Sequence, residues 1–295
     1  MSTGTKLGGL GIALVLVFGA AYAVGQLAGP VAGPAGPDAG HRSGGHGADA
    51  GGHAGGRHGG GSDTELPGGL LVSDHGHTLA TVPTKPDQFG FRIIGPDGEA
   101  VTRFDVEHDK RMHLIVVRRD LSGFRHVHPT MGADGTWRVA SPIGKPGTYR
   151  AFADFKPTGA EALTLGIDVT APGAVRPLPL PAPAATAKAD DYTVTLSGGV
   201  KPGATSKLTL SVSRDGKPVT DLQPYLGAYG HLVALRSGDL AYLHVHPDGT
   251  PGDGATKPGP KITFYAEVPS AGTYRLYLDF QHRGVVRTAE FTVVA

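Results

Sequence analysis

The chain has 295 residues, a formal net charge of +1, 47 glycines, 24 prolines and no cysteine. The near-neutral balance and the lack of any Lys/Arg run exclude a general electrostatic attraction to nucleic acid. The missing cysteines exclude disulfides, thiolate metal sites, thiol catalysis and a lipidated amino-terminal Cys.

Residues Leu7 to Leu27 carry no charge, follow Lys6, and precede the next basic residue at Arg42. A membrane-spanning helix needs roughly 20 apolar residues. The positive amino end places the N-terminus in the cytoplasm and the remainder outside. Ala21-Tyr22-Ala23 has the small-x-small form of a signal-peptidase site. Residues 1–28 are therefore read as a transmembrane signal anchor or a cleaved signal peptide. The anchor is favoured because the apolar stretch runs past Ala23. The expected location is the cell membrane, single-pass, with the C-terminal part outside; cleavage after Ala23 would make the protein secreted.

Residues 29–67 are dominated by Gly, Ala, Pro and His, too polar to offset ordering entropy, and read as a disordered tether. Such a segment reaches about 35 Å. His41, His46, His53 and His58 punctuate it. Neutral imidazole binds Cu(II), Zn(II) and Ni(II), so weak, unselective metal capture competes here with a plain solvated spacer. His75 and His77 stand where the tether meets the first folded module and could supplement a site there.

The rest of the chain repeats itself. Asp97-Gly98-Glu99-Ala100-Val101-Thr102 matches Asp215-Gly216-Lys217-Pro218-Val219-Thr220 at an offset of 118 (215 − 97). At the same spacing His113-Leu114 matches His231-Leu232, and His126-Val127-His128-Pro129 matches His244-Val245-His246-Pro247. Gly147-Thr148-Tyr149-Arg150 recurs as Gly272-Thr273-Tyr274-Arg275, 125 residues on (272 − 147), which puts an insertion between Asp248 and Lys261. A period this long is a domain, not a solenoid unit. The modules are placed at 68–171 and 189–295, joined by a proline-rich linker at 172–188.

Alternating short apolar runs and Asp-Gly turns predict strands in both modules. In the first they fall at 78–82, 89–94, 100–106, 113–118, 124–128, 136–140, 148–155 and 162–169. In the second they fall at 192–196, 206–213, 231–236, 241–246, 262–268, 273–280 and 285–294. Tyr149, Ala151, Ala153 and Phe155 share one face of a strand, as do Tyr274, Leu276, Leu278 and Phe280, and these are the expected core faces. The fold class is all-β: two tandem immunoglobulin-like β-sandwiches after the membrane segment and tether.

The candidate metal ligands are His113, His126 and His128, with His231, His244 and His246 as their counterparts. A His-x-His pair on a strand points both rings to one face, and a third His on a paired strand completes three-nitrogen ligation. Water, Asp154 or Asp279 could supply a fourth ligand. Lack of thiolate and scarce Met point to Cu(II) or Zn(II) rather than Cu(I). The bland alternative is that each His bonds a carbonyl and the His-x-His-Pro merely ends a strand. His108 and His282 have no counterpart in the other module.

The phrases MHLIVVRRDLSGFRHVHP and GHLVALRSGDLAYLHVHP, followed by PGTYRAFADF and AGTYRLYLDF, resemble bacterial exported or membrane-anchored proteins with YtkA-like and CopC-like immunoglobulin-like domains. The resemblance covers both modules but not the tether. It implies a β-sandwich and a Cu(II) role outside the cytoplasm, carried by the His-x-His-Pro and its upstream His.

Two functions compete: a non-enzymatic, membrane-tethered protein that buffers or passes on copper(II) or zinc(II), and a structural or interaction module at the cell surface, without a specific metal site, that contacts a cell-envelope protein partner or a cell-wall component. An enzyme is not expected, since no nucleophile elbow, phosphate-cradling loop or His-Glu-x-x-His is present. The expected partners are the membrane, through the N-terminal helix, and metal ions; nucleic acid is not among them.

Overall fold

The computed structural model describes residues 66–243 and 245–295. The expected membrane segment, nearly all of the tether with His41, His46, His53 and His58, and also His244 lie outside the described residues. Among the described residues every regular element is a strand, and no helix is long and apolar enough to cross a membrane.

The first module holds β1 (Ser73–Asp74), β2 (His77–Thr81), β3 (Gln88–Ile94), β4 (His113–Arg118), β5 (Arg125–Val127), β6 (Thr130–Met131), β7 (Trp137–Ala140), β8 (Gly147–Phe155) and β9 (Leu163–Ala171). The second holds β10 (Thr186–Ala189), β11 (Tyr192–Ser197), β12 (Thr205–Arg214), β13 (Lys217–Pro218), β14 (His231–Arg236), β15 (Tyr242–Leu243), β16 (Val245–Pro247), β17 (Lys261–Glu267), β18 (Thr273–His282) and β19 (Val285–Val294). Each module has two antiparallel sheets. They run β1-β2-β3-β7-β6 and β5-β4-β8-β9 in the first module, and β10-β11-β12-β17-β16 (with β13 on β12) and β15-β14-β18-β19 in the second.

The expected core faces are in place. Tyr149, Ala151, Ala153 and Phe155 pack with Phe91, Ile93, Leu114 and Trp137 in one core. Tyr274, Leu276, Leu278 and Phe280 pack with Tyr192, Leu210, Phe264 and Phe291 in the other. Alternation along each strand puts these side chains between the two sheets, as in a β-sandwich.

Three predicted elements differ. No strand forms over residues 100–106; Ala100 and Phe104 make single bridges to Ile94 and Pro157. That segment carries Thr102, Arg103 and Asp105 on its outward side, and it is anchored by Phe104, buried against Trp137 and Phe155. The strand expected at 241–246 divides, β15 joining β14 in one sheet and β16 joining β17 in the other. The same change of sheet follows His128 in the first module, where β5 pairs β4 and β6 pairs β7. Pro129, between β5 and β6, has no N–H for a ladder and marks the switch. Finally β10 occupies residues read as linker, because Thr186–Ala189 pairs with Tyr192–Thr195.

β4 is buried at all six positions. One side faces its own core, and the other faces the second module. Ile115, Val117, Leu121, Phe124 and Phe152 from the first module meet Val233, Leu235, Leu240 and Tyr277 from the second in a third apolar cluster. Phe124 stacks on Tyr277 at 4.0 Å with 7° between planes, and Phe152 lies 5.6 Å from Tyr242. Phe124 and Tyr242 are repeat equivalents, as are Phe152 and Tyr277, so the contact is reciprocal. The Tyr277 hydroxyl donates to the Leu121 carbonyl at 2.7 Å. The linker is tied down where the Leu178 N–H donates to Asp120 at 2.8 Å and Leu180 joins the cluster.

Gly69 enters this junction with φ +74°, and a Cβ there would stand 2.3 Å from the Phe152 ring. Gly69→Ala is expected to cost about 1–3 kcal/mol, from strain at positive φ and from overpacking. Chemical denaturation checks it; a stability equal to the parent would show that the 66–71 segment is not held between the modules.

Candidate metal centre

β4 and β5 form one antiparallel ladder, with Ile115 opposite His126 and Leu114 opposite Val127. That register brings His113, at the start of β4, beside His126 on β5 and His128 just past its end. One ring nitrogen from each of the three lies within 4.8 Å of the others. The ring centroids are 5.4 Å apart for His113–His126, 5.0 Å for His113–His128 and 4.8 Å for His126–His128.

Hydrogen bonding assigns the tautomers. His113 Nε2 is 3.1 Å from the Glu107 carbonyl oxygen, which only accepts, so Nε2 carries the proton and Nδ1 the lone pair. His126 Nδ1 is 2.9 Å from Asp279 Oδ2, so Nδ1 donates to the carboxylate and Nε2 holds the lone pair. With both rings neutral, His113 Nδ1 and His126 Nε2 face each other at 3.1 Å as two acceptors. Two lone pairs at that distance repel unless a cation lies between them. Two nitrogens bound to one ion at about 2.0–2.1 Å stand about 2.9–3.3 Å apart for bond angles between a right angle and the tetrahedral value. The observed spacing fits. His128 Nε2 is buried with no hydrogen-bond partner, an uncommon state for a polar atom.

Burial, reinforced by neighbouring imidazoles, pushes His113 and His128 down to about 3, and burial pushes His231 down to about 4. These rings are neutral at pH 7, the state in which imidazole ligates. The sign for stability follows. The unfolded chain takes up these protons below about pH 6.5, whereas the folded protein refuses them until pH 3–4. Stability present above pH 6.5 is therefore lost as pH falls through that window. The metal-free protein is expected to lose a few kcal/mol between pH 7 and 4 in urea titrations. A flat profile would mean that the rings are not held neutral.

The second set of histidines is placed in part. His231 opens β14, and its Nε2 donates to the Tyr225 and Leu226 carbonyls at 2.9 and 3.0 Å, the counterpart of the His113–Glu107 bond. His246 is exposed on β16. His113, His126, His231, His246 and Asp154 line one cleft of about 430 Å³ between the modules. Asp279 sits in register with His231 on β14 and Asp154 with His113 on β4. Asp279 bonds the His126 ring, while Asp154 accepts from Thr164 Oγ1 at 3.2 Å. His77 is drawn elsewhere: its Nδ1 bonds the His75 carbonyl and its ring lies 6.5 Å from Phe155. His75 is exposed.

His108 joins the constellation although its lack of a counterpart sets it apart in the sequence. Its ring lies 6.2 Å from His113 and 5.5 Å from His231, on the same cleft. The signal that could have found it is position: His108 follows Glu107, whose carbonyl holds His113.

No curated protein matches the chain. Among solved structures it is similar to a DUF3823 family protein from Bacteroides uniformis, with 15% identity over 67% of this chain and 93% of that one, and TM-score 0.21. It is also similar to the Yersinia pseudotuberculosis adhesin InvE, with 13% identity over 79% of this chain and 61% of that one, TM-score 0.21. A Corynebacterium diphtheriae protein described as membrane anchored matches with 10% identity over 75% of this chain and 59% of that one, TM-score 0.21. Likenesses this weak do not bear on function. The model of the family described as Domain of unknown function (DUF8832) matches residues 73–173 and 187–295, most of the chain, and the chain belongs to that family.

Proposed function

We propose that the protein is a non-enzymatic metal-binding protein displayed outside the cytoplasm, and that His113, His126 and His128 supply the ligand nitrogens for one copper(II) or zinc(II) ion. The observation that carries this reading is the convergence of His113, His126 and His128, one ring nitrogen of each within 4.8 Å of the others, with His113 Nδ1 and His126 Nε2 only 3.1 Å apart. The partnerless His128 Nε2 supports it as the third donor. Three imidazoles without a thiolate suit borderline dications. Resemblance to YtkA-like and CopC-like domains favours copper, and the charge-free leader favours tethered display. By the repeat, His231, His244 and His246 form a second set in the other module. The bound ion would supply no chemistry beyond being held; the role is buffering or transfer.

The test is electron paramagnetic resonance of the full chain in detergent, with His41, His46, His53 and His58 replaced by alanine and one equivalent of Cu(II) added. Nitrogen hyperfine structure from imidazole ligands is expected, and loss of the component from the first-module site is expected on His113→Ala. A spectrum indistinguishable from free aqueous Cu(II) would reject the reading and favour an interaction module.

A further inference from the structure

We propose that Asp279 of the second module is the positioning residue for His126 of the first, so that metal loading and docking of the two modules are thermodynamically coupled. This rests on the metal reading of the His113–His126–His128 site. Asp279 is 3% exposed and fixed by its own module: Thr288, its register partner on β19, donates Oγ1–H to Oδ1 at 2.6 Å. Oδ2 is left aimed across the junction at His126 Nδ1, 2.9 Å away, and both side chains of this pair are 5% exposed. A carboxylate in that position selects the tautomer whose Nε2 lone pair faces His113. It also stops the ring from turning.

An ion on His126 Nε2 draws electron density from the ring and makes Nδ1–H a stronger donor to Asp279. The bond that strengthens is a bond between modules, so loading favours the docked arrangement. By linkage, docking raises metal affinity by the same factor. The apolar part of the junction, Phe124 on Tyr277 with Val117, Val233 and Leu235, keeps Asp279 within reach of His126. The arrangement is crossed in the other direction too. Asp154, the repeat equivalent of Asp279, is held by its own strand partner Thr164 and lies 3.5 Å from the Tyr242 hydroxyl of the second module.

The experiment is a double-mutant cycle on zinc(II) affinity, measured by chelator competition in the full chain with the tether histidines replaced. Asp279→Asn and Tyr277→Ala are each expected to weaken zinc binding about 10–100-fold, the range for loss of an outer-sphere partner. The double variant should be no weaker than the poorer single one, because undocking already removes Asp279 from His126. A downfield imidazole N–H proton resonance should be visible in the zinc-loaded parent and absent in Asp279→Asn, which a merely structural aspartate would not produce. Should Tyr277→Ala fail to fold, Thr288→Val takes its place, freeing Asp279 without opening the junction, with a several-fold loss expected. Additive losses, or zinc affinity within two-fold of the parent in these variants, would overturn the coupling and leave the metal site standing. A parent chain that binds no zinc would overturn both.

Discussion

His128→Ala should abolish tight metal binding at the first-module site while leaving the metal-free protein almost as stable as before. His128 Nε2 has no hydrogen-bond partner to lose, so removing the ring breaks no network in the empty protein. The expected stability change is within about 1 kcal/mol, set by partial burial alone. The metal loses one of three protein nitrogens, and affinity should fall by at least about 100-fold, more than the loss of an outer-sphere partner alone would cost. A histidine kept for structure would behave the other way round, with stability falling and any weak metal affinity unchanged. Paired urea titrations and zinc competition on the same preparation separate the two outcomes.

Tyr277→Ala should be the most destabilising single change outside the two sandwich cores. Tyr277 is fully buried, stacked on Phe124, and its hydroxyl is satisfied by the Leu121 carbonyl. Truncation empties the centre of the junction and strands that carbonyl. The cost is about 3–5 kcal/mol, typical of a buried aromatic replaced by alanine. Loss of the shared surface should also split one cooperative unfolding transition into two, since each module keeps its own core. A cost below about 1 kcal/mol with one unchanged transition would show that the modules do not depend on this contact.

Much of the fold was legible because its signals are local. Alternating runs placed β3, β4, β8, β14, β18 and β19 within a few residues of their observed ends, and the repeat doubled the weight of each reading. What failed was local too. The 241–246 run looks like one strand, and only the two separate sheets reveal that it divides after Leu243. The junction was half visible. Leu114-Ile115-Val116-Val117 is apolar on both faces of β4, and a strand apolar on both faces must be covered on both. Phe152 and Tyr277 lie opposite the core faces for the same reason. Which surface covers them is a tertiary fact that no spacing encodes.

The trio His113, His126 and His128 was legible from strand period and hairpin register. Asp279 was legible as a residue but not as a role. It stands 153 residues from His126, and only the docking of the two modules turns a notional fourth ligand into the hydrogen-bond partner of the His126 ring. His108 shows the opposite lesson. Absence from one repeat argues against a shared duty, but a junction between two modules has room for residues that serve only one of them.

The most direct measurement is calorimetric titration of zinc(II) or copper(II) into the full chain with His41, His46, His53 and His58 replaced by alanine, at pH 7.5 and again at pH 5. With His113 and His128 pushed to about 3, proton competition at those two rings is weak, which predicts tight binding at the first pH and a smaller loss at the second than a site of exposed histidines would show. In the same background His126→Ala should show no tight site in the first module. Heats indistinguishable between the parent and His126→Ala, or binding that vanishes near pH 6.5 as for exposed histidines, would contradict a built metal centre at the start of β4.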